Sequence, residues 1–154
     1  MEYGKRARIM ASGKWFNWSR FEQIAITPVL TGQTQVSTQN YKDSWSGAVG
    51  VEYDLGPAVT VRAGGMYETT PTVDAYRDTR VPDGDRTWAT AGASFRPNRH
   101  MEVSLGYAHV FVSDEPVNRV SHFYDGTPAA ITAVTRAVST NSADVLSTSV
   151  RFRL

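Results

Sequence analysis

The sequence predicts an all-β chain, an antiparallel transmembrane β-barrel segment, and three observations carry that prediction. First, "YKDSWSGAVGVEYDLG" (41–56) alternates: Trp45, Gly47, Val49, Val51, Tyr53 and Leu55 share one parity, Ser44, Ser46, Ala48, Gly50, Glu52 and Asp54 the other. Period-two alternation is a strand with one apolar face and one small, polar face. Second, no long stretch repeats the helical i, i+3, i+4 spacing, and no apolar run is long enough for a membrane helix. Third, tight turns alternate with long polar loops along the chain, as in transmembrane barrels, whose turns are short at one end and loops long at the other.

Six strands follow in order. The first runs from about Ala7 to Thr27, with a parity shift at "NWSRF" (17–21) that predicts a bulge or bend. The second is the stretch quoted above. In "AVTVRAGGMYE" (58–68), Val59, Val61, Ala63 and Tyr67 oppose Thr60, Arg62 and Glu68. In "TWATAGASFR" (87–96), Ala89, Ala91, Ala93 and Phe95 oppose Trp88, Thr90, Ser94 and Arg96. In "MEVSLGYAHVFV" (101–112), Met101, Val103, Leu105, Tyr107 and Phe111 oppose Glu102, Ser104 and Gly106. The last, "DVLSTSVRFRL" (144–154), sets Leu146, Val150, Phe152 and Leu154 against Ser147, Ser149, Arg151 and Arg153. "GPA" (56–58) and "PNRH" (97–100) are the tight turns, and residues 28–42, 70–86 and 113–143 the polar loops. About eleven residues at ~3.3 Å each, tilted about 45°, rise near 25 Å, the height of an apolar belt.

The polar parity carries charge near the tight turns. Glu52 can lie opposite Arg62 across the first, and Arg96 opposite Glu102 across the second, with Arg151 and Arg153 at the same end. As lumen charge pairs they would be partly desolvated and therefore paired; on a soluble sheet they would be ordinary surface pairs worth little. The turn and loop asymmetry favours the lumen. Trp45, Tyr53, Tyr67, Phe95, Tyr107, Phe111 and Phe152 crown the apolar parity near strand ends, where interfacial girdles would put them; core packing in a soluble sandwich is the competing reading.

Sixteen Lys and Arg against fifteen Asp and Glu leave a formal charge of +1, so no nucleic-acid footprint shows. Cysteine is absent, which excludes disulfides and thiolate metal sites. The first residues, "MEYGKRARIMASGKW", hold no apolar stretch of secretory type, so no signal peptide is expected within them. His100, His109 and His122 show no metal-ligand spacing, and Ser121 beside His122 makes a poor dyad because adjacent side chains on an extended chain diverge. Asp74, Asp78, Asp83 and Asp85 crowd one loop and could bind calcium or bridge lipopolysaccharide through cations; solvated loop charge is the expected role. No enzyme and no cofactor are expected.

"YKDSWSGAVGVEYDLGPAVTVRAGGMYETTP", "VPDGDRTWATAGASFRPNRHMEVSLGYAHVF" and the terminal "SADVLSTSVRFRL" resemble the C-terminal part of the FadL/TodX-type outer membrane transporters, and "NWSRF" resembles that family's Trp-Ser-x-Phe element. The resemblance implies six strands of a barrel of about fourteen in the Gram-negative outer membrane. Residues 1–154 would be the C-terminal portion of a single barrel domain, with the signal peptide, the plugging hatch and the early strands lying outside it. It implies passive uptake of long-chain fatty acids or other hydrophobic compounds. The implied partners are outer membrane lipids and lipopolysaccharide, a hydrophobic small molecule and the barrel-assembly machinery.

For substrate contact the candidates are Lys42 and Arg86 as cations for a carboxylate, with Met66 and Trp88 as apolar contacts on the inward parity; the expected main role of Arg86 is to brace its loop through Asp83 or Asp85, and that of Met66 and Trp88 to fill space in the lumen. The family's ligand-facing lysine before "YKD" has no match in "STQN" (37–40), which leaves room for a neutral substrate. The rival readings are a soluble β-sandwich binding module and a barrel-embedded lipid enzyme using Ser121 and His122.

Overall fold

A computed structural model describes residues 6–29, 32, 34–79, 82–123 and 128–153. Its centre is one antiparallel sheet of six strands: β1 (Ala7–Phe16), β4 (Ser44–Asp54), β5 (Val59–Glu68), β6 (Arg86–Asn98), β7 (Met101–Val112) and β10 (Ser142–Phe152), hydrogen-bonded in that order. Two hairpins extend it, β2 (Gln23–Ile26) with β3 (Gln35–Thr38), and β8 (Glu115–Phe123) with β9 (Ile131–Ser139). Each is sandwiched in sequence between a pair of main-sheet neighbours. The six strands do not close into a barrel; β1 and β10 are the sheet's edges.

The six main strands match the alternating stretches, but two expectations need correcting. The segment 7–27 is not one bent strand. It breaks at a 3-10 turn, Trp18–Arg20, closed by the Phe21 N–H donating to the Trp18 carbonyl at 2.8 Å, and β2 then leaves the sheet to pair with β3. Asp43 holds the break in place by accepting the Ser19 N–H at 2.9 Å. The loops at 28–42 and 113–143 are likewise not irregular throughout, since β3 and the β8–β9 pair lie in them. Polar residues such as Gln35, Asn118 and Arg136 blur the alternation there, yet strand pairing continues wherever the backbone has a partner.

At the other end the connections are short. The Leu55 N–H donates to the Val59 carbonyl at 3.0 Å, and only Arg99 and His100 separate β6 from β7. The β6–β7 register shifts between Phe95 and Asn98, where Pro97 sits. Proline has no N–H to give the ladder, so a bulge accommodates it at the strand's end.

The two faces of the sheet meet different surroundings. Ser44, Ser46, Thr60 and Ser94 are buried on the small, polar parity, whereas Trp45, Val49, Leu105, Phe111 and Phe152 of the opposite parity are exposed. Leu146 is 74% exposed, and no second sheet covers the apolar face among the described residues. A soluble sandwich buries its apolar parity between sheets. This chain turns it outward, as a barrel wall does toward lipid.

Candidate functional site: the inward wall

Register assembles the inward face row by row. Nearest the tight turns, Glu52 lies opposite Arg62 on one side and Arg8 on the other. The Glu52 carboxylate accepts from both guanidiniums, from Arg8 Nε at 2.5 Å and from Arg62 Nε. Arg62 also donates to Ser94 Oγ at 2.6 Å, and Ser94 shares a 2.8 Å hydrogen bond with Ser104. Asp54 accepts from Thr60 Oγ1 at 2.6 Å and stands 3.3 Å from Arg8 and 3.9 Å from Arg96. Glu102 lies 3.8 Å from Arg96 and 3.7 Å from Arg153. One chain of charge therefore crosses the wall from β1 to the end of β10. Fixed pairing of this kind is what partial removal from water demands of ionised groups.

Above this band the wall thins. Gly50 faces Gly64, Gly64 faces Thr90, Gly92 faces Gly106, and Met66 faces Trp88. These residues, with Met10, Ser12, Ala48 and Ala108, line a concave basin of about 670 Å³. Space is tight at Gly64, where a Cβ would stand 3.0 Å from the Val49 carbonyl and 3.1 Å from Thr90 Oγ1. The sequence candidates Met66 and Trp88 both sit on this basin.

Beyond the basin, toward the hairpin extensions, charge returns. Arg86 lies opposite Glu68 with 3.8 Å between their charged atoms, and it also pairs with Asp83. Lys42 is exposed just before β4, and its N–H donates to the Pro71 carbonyl at 2.8 Å, so it stands on the rim rather than in the basin.

The loop after β5 is built rather than loose. Arg77 is 1% exposed and donates to Asp74 at 2.7 Å, the Asp83 carbonyl at 2.9 Å and the Pro116 carbonyl at 3.1 Å, with Glu115 at 3.2 Å. Asp83 accepts from Thr70 Oγ1 at 2.6 Å, and Asp85 from the Thr70 N–H at 2.8 Å and Tyr67 Oη at 2.6 Å. Arg119 reaches Asp78 at 3.3 Å. Of the four loop carboxylates, expected as solvated charge, Asp74 remains largely exposed while pairing with Arg77, whereas Asp78, Asp83 and Asp85 are engaged, and Arg77 and Arg119 tie the described part of this loop to β8. Sequence inspection missed Arg77 because a single arginine in a polar loop carries no pattern. Arg8, Asp54 and Thr60 were within reach, since each shares the inward parity of its strand.

The outward face carries aromatic rings at two levels. Trp15 faces Trp45 in the β1–β4 register, and Trp45 packs at 5.7 Å on Tyr67, whose row continues to Phe111. Tyr53, Phe95 and Phe152 lie toward the opposite end. Between the levels run Val49, Val51, Ala63, Ala91 and Tyr107, the last expected near a strand end, while Leu105 shares the register row of Tyr53. His109 is also on this face, 2.7 Å from Asp144, which accepts from Tyr107 Oη at 2.6 Å. His122 contacts Thr132 Oγ1 at 3.2 Å across the β8–β9 pair, which gives Ser121 no base.

A polar, charge-bridged inner face, an apolar outer face and two aromatic levels describe a barrel wall, and the comparisons agree. The sequence profile of the outer membrane protein transport protein family (OMPP1/FadL/TodX) matches residues 2–154. The 47 kDa outer membrane protein of Pasteurella multocida is 34% identical over 100 residues, 64% of this chain and 23% of that protein. The long-chain fatty acid transport protein of Escherichia coli is 26% identical over 102 residues, 66% of this chain and 23% of that protein. The crystal structure of a Pseudomonas aeruginosa FadL homologue superposes with a TM-score of 0.82 at 30% identity, covering 98% of this chain and 33% of that one. The chain spans less than a quarter of the length of these two curated relatives. It belongs to the OMPP1/FadL/TodX family of outer membrane transport proteins, a family of transporters rather than enzymes.

Proposed function

We propose that this chain supplies part of the wall of a passage through which long-chain fatty acids or other hydrophobic compounds cross the outer membrane passively. The carrying observation is the basin: small and apolar residues of four adjacent strands, β4 to β7, form its floor, between a charged band at each end. An apolar ligand is held by such a surface through area removed from water, at roughly 25 cal/mol per Å². Fixed ion pairs on either side offer it nothing and confine it to the middle. No bond is made or broken, so no nucleophile or general base is required. The relatives' names, long-chain fatty acid transport among them, support this reading. The wall would meet outer membrane lipid and lipopolysaccharide on its apolar face and would depend on the barrel-assembly machinery for insertion.

The test is to fill the basin. In the full-length protein carrying this sequence, Thr90→Trp projects a large ring inward from the centre of the floor. Uptake of a labelled C16 fatty acid by cells should fall severalfold at unchanged surface abundance. Undiminished uptake would remove the basin from the route.

A further inference from the structure

The β8–β9 hairpin keeps its two faces apart in charge as well as in exposure. On one parity Val117 is buried, and Glu115 and Arg119 are half-buried, paired with Arg77 and Asp78 of the preceding loop. On the other parity Pro116, Asn118 and Val120 of β8 are exposed, as are Val134, Arg136 and Val138 of β9. No carboxylate stands on this second parity of either strand. Arg136 lies directly opposite Asn118 in the ladder, and neither side chain has a hydrogen-bond or ion-pair partner among the described residues. A guanidinium and an amide, both with donors to give, thus sit in the middle of an apolar frame.

This face continues the outward wall. Asn141 Nδ2 donates to Ser139 Oγ at 2.6 Å, a bond between side chains two residues apart on one side of an extended chain, so the pleat of β10 runs on into β9. Arg136 therefore shares the parity of Ser142, Asp144 and Leu146, the outward residues of β10. On the partner strand, residues 112–114 stand against 140–141, a bulge that returns Pro116 and Asn118 to the side of Phe111. Arg136 comes six positions before Ser142, which lies in the row of Phe111. At ~3.3 Å per residue and a tilt of about 45°, that places it roughly 14 Å beyond the aromatic level.

Outside the aromatic level of an outer-membrane wall stand the phosphorylated sugars of the outer leaflet's own glycolipid. We propose that Arg136 and Asn118 form a docking point for a phosphate of lipopolysaccharide, with Val120, Val134 and Val138 packing against the body of the same molecule. The guanidinium fork matches a phosphate, and an apolar frame strengthens such a bond by keeping water from it. Continuity with the lipid-facing wall and the unopposed positive charge select this occupant. A second copy of the chain fits less well, because an isologous contact centred here would bring two unpaired arginines together. The proposal needs the outward orientation of the wall and does not depend on the transport reading.

The experiment titrates the detergent-purified full-length protein with fluorescently labelled lipopolysaccharide, either intact or stripped of its phosphates. Wild type should bind the intact form about tenfold more tightly, the scale of one hydrogen bond to a charged group. Arg136→Gln should erase that preference, and Arg136→Lys should restore part of it. Equal binding of the two forms by wild type, or an unchanged preference in Arg136→Gln, overturns the proposal. So does a concentration-dependent dimer that Arg136→Gln abolishes, which would make this face a contact between copies. Where Arg136→Gln fails to insert, Asn118→Leu decides: it should narrow the preference, and no change overturns the proposal.

Discussion

Glu52 stands directly opposite Arg62 in the β4–β5 ladder, and its carboxylate is divided between Arg62 and Arg8 of the neighbouring strand. Removing the carboxylate leaves two guanidiniums facing each other across a single strand. Glu52 is 12% exposed at its side chain, but Arg62 and Arg8 are more open, so solvent screening cuts the penalty. Glu52→Gln should lower the unfolding midpoint. A double-mutant cycle with Arg62→Gln, read from thermal unfolding in detergent, should give a positive coupling. Glu102→Gln, whose partners lie at 3.7 and 3.8 Å, should cost less.

The glycines of the floor differ in what stands behind them. A Cβ at Gly92 would meet the Leu105 carbonyl at 3.1 Å, a backbone atom that cannot turn away. At Gly106 the nearest atom is Ser147 Oγ at 2.8 Å, the end of a rotatable side chain. Gly106→Ala should therefore be nearly neutral and Gly92→Ala should cost about 1–2 kcal/mol, in the range of overpacking. Gly84, in the "PDGDR" segment, would meet the Ser113 carbonyl at 2.8 Å and Glu115 Cγ at 2.9 Å, so Gly84→Ala should be the worst of the three. Unfolding midpoints of the three variants, ranked, check this order.

The main sheet was legible because a strand between lipid and lumen imposes strict alternation, and Trp45 to Leu55 obey it almost throughout. The Glu52–Arg62 pairing followed from the same parity plus the shortness of the turn, and Met66 and Trp88 from their inward positions. What could not be read was everything fixed by contacts between loops. The break at Trp18–Arg20 depends on Asp43, twenty-four residues beyond the Ser19 N–H it accepts, and the burial of Arg77 depends on carbonyls supplied by Asp83 and Pro116. Such long-range hydrogen bonds leave no periodic trace.

Arg77 should govern the order of the loop it clasps. Arg77→Ala withdraws a planar fork from two carboxylates and two carbonyls at once, and Arg77→Lys restores the charge without the fork. Both variants should leave the barrel heat-resistant, because the six-stranded ladder does not pass through Arg77. Residues 70–86 should become open to protease added outside intact cells, more in Arg77→Ala than in Arg77→Lys. Equal resistance of wild type and Arg77→Ala would show that the clasp holds nothing.

Asp43 predicts an acid-sensitive rim. Hydrogen bonding from Ser19, its side chain first and its backbone N–H second, holds the Asp43 carboxyl below the usual aspartate range. A carboxylate whose folded value is lowered contributes stability that is complete above its unfolded value, near 3.9, and is lost as pH falls through the folded one. Exchange of the Ser19 amide, followed by hydrogen–deuterium exchange, should be pH-independent beyond its chemical rate above about pH 4 and lose protection below it. Asp43→Asn should show weaker protection throughout and no such acid step.

The orientation of the sheet makes the last prediction. Leu105 is 56% exposed on the outward face, in the row of Tyr53 and next to that of Phe95, whereas Thr90 projects from the floor on the inward side. Arginine at the first position meets the lipid side toward the Tyr53 and Phe95 level, where the cost is below the ~2–4 kcal/mol of the bilayer midplane. At the second it meets the lumen, beside a wall that already carries Arg62 and Glu52. Leu105→Arg should therefore lower the yield of heat-modifiable, membrane-inserted protein severalfold, and Thr90→Arg should leave it near wild type. Equal insertion of the two would mean that both faces touch water, and the reading of the apolar parity as the lipid side would have to be abandoned.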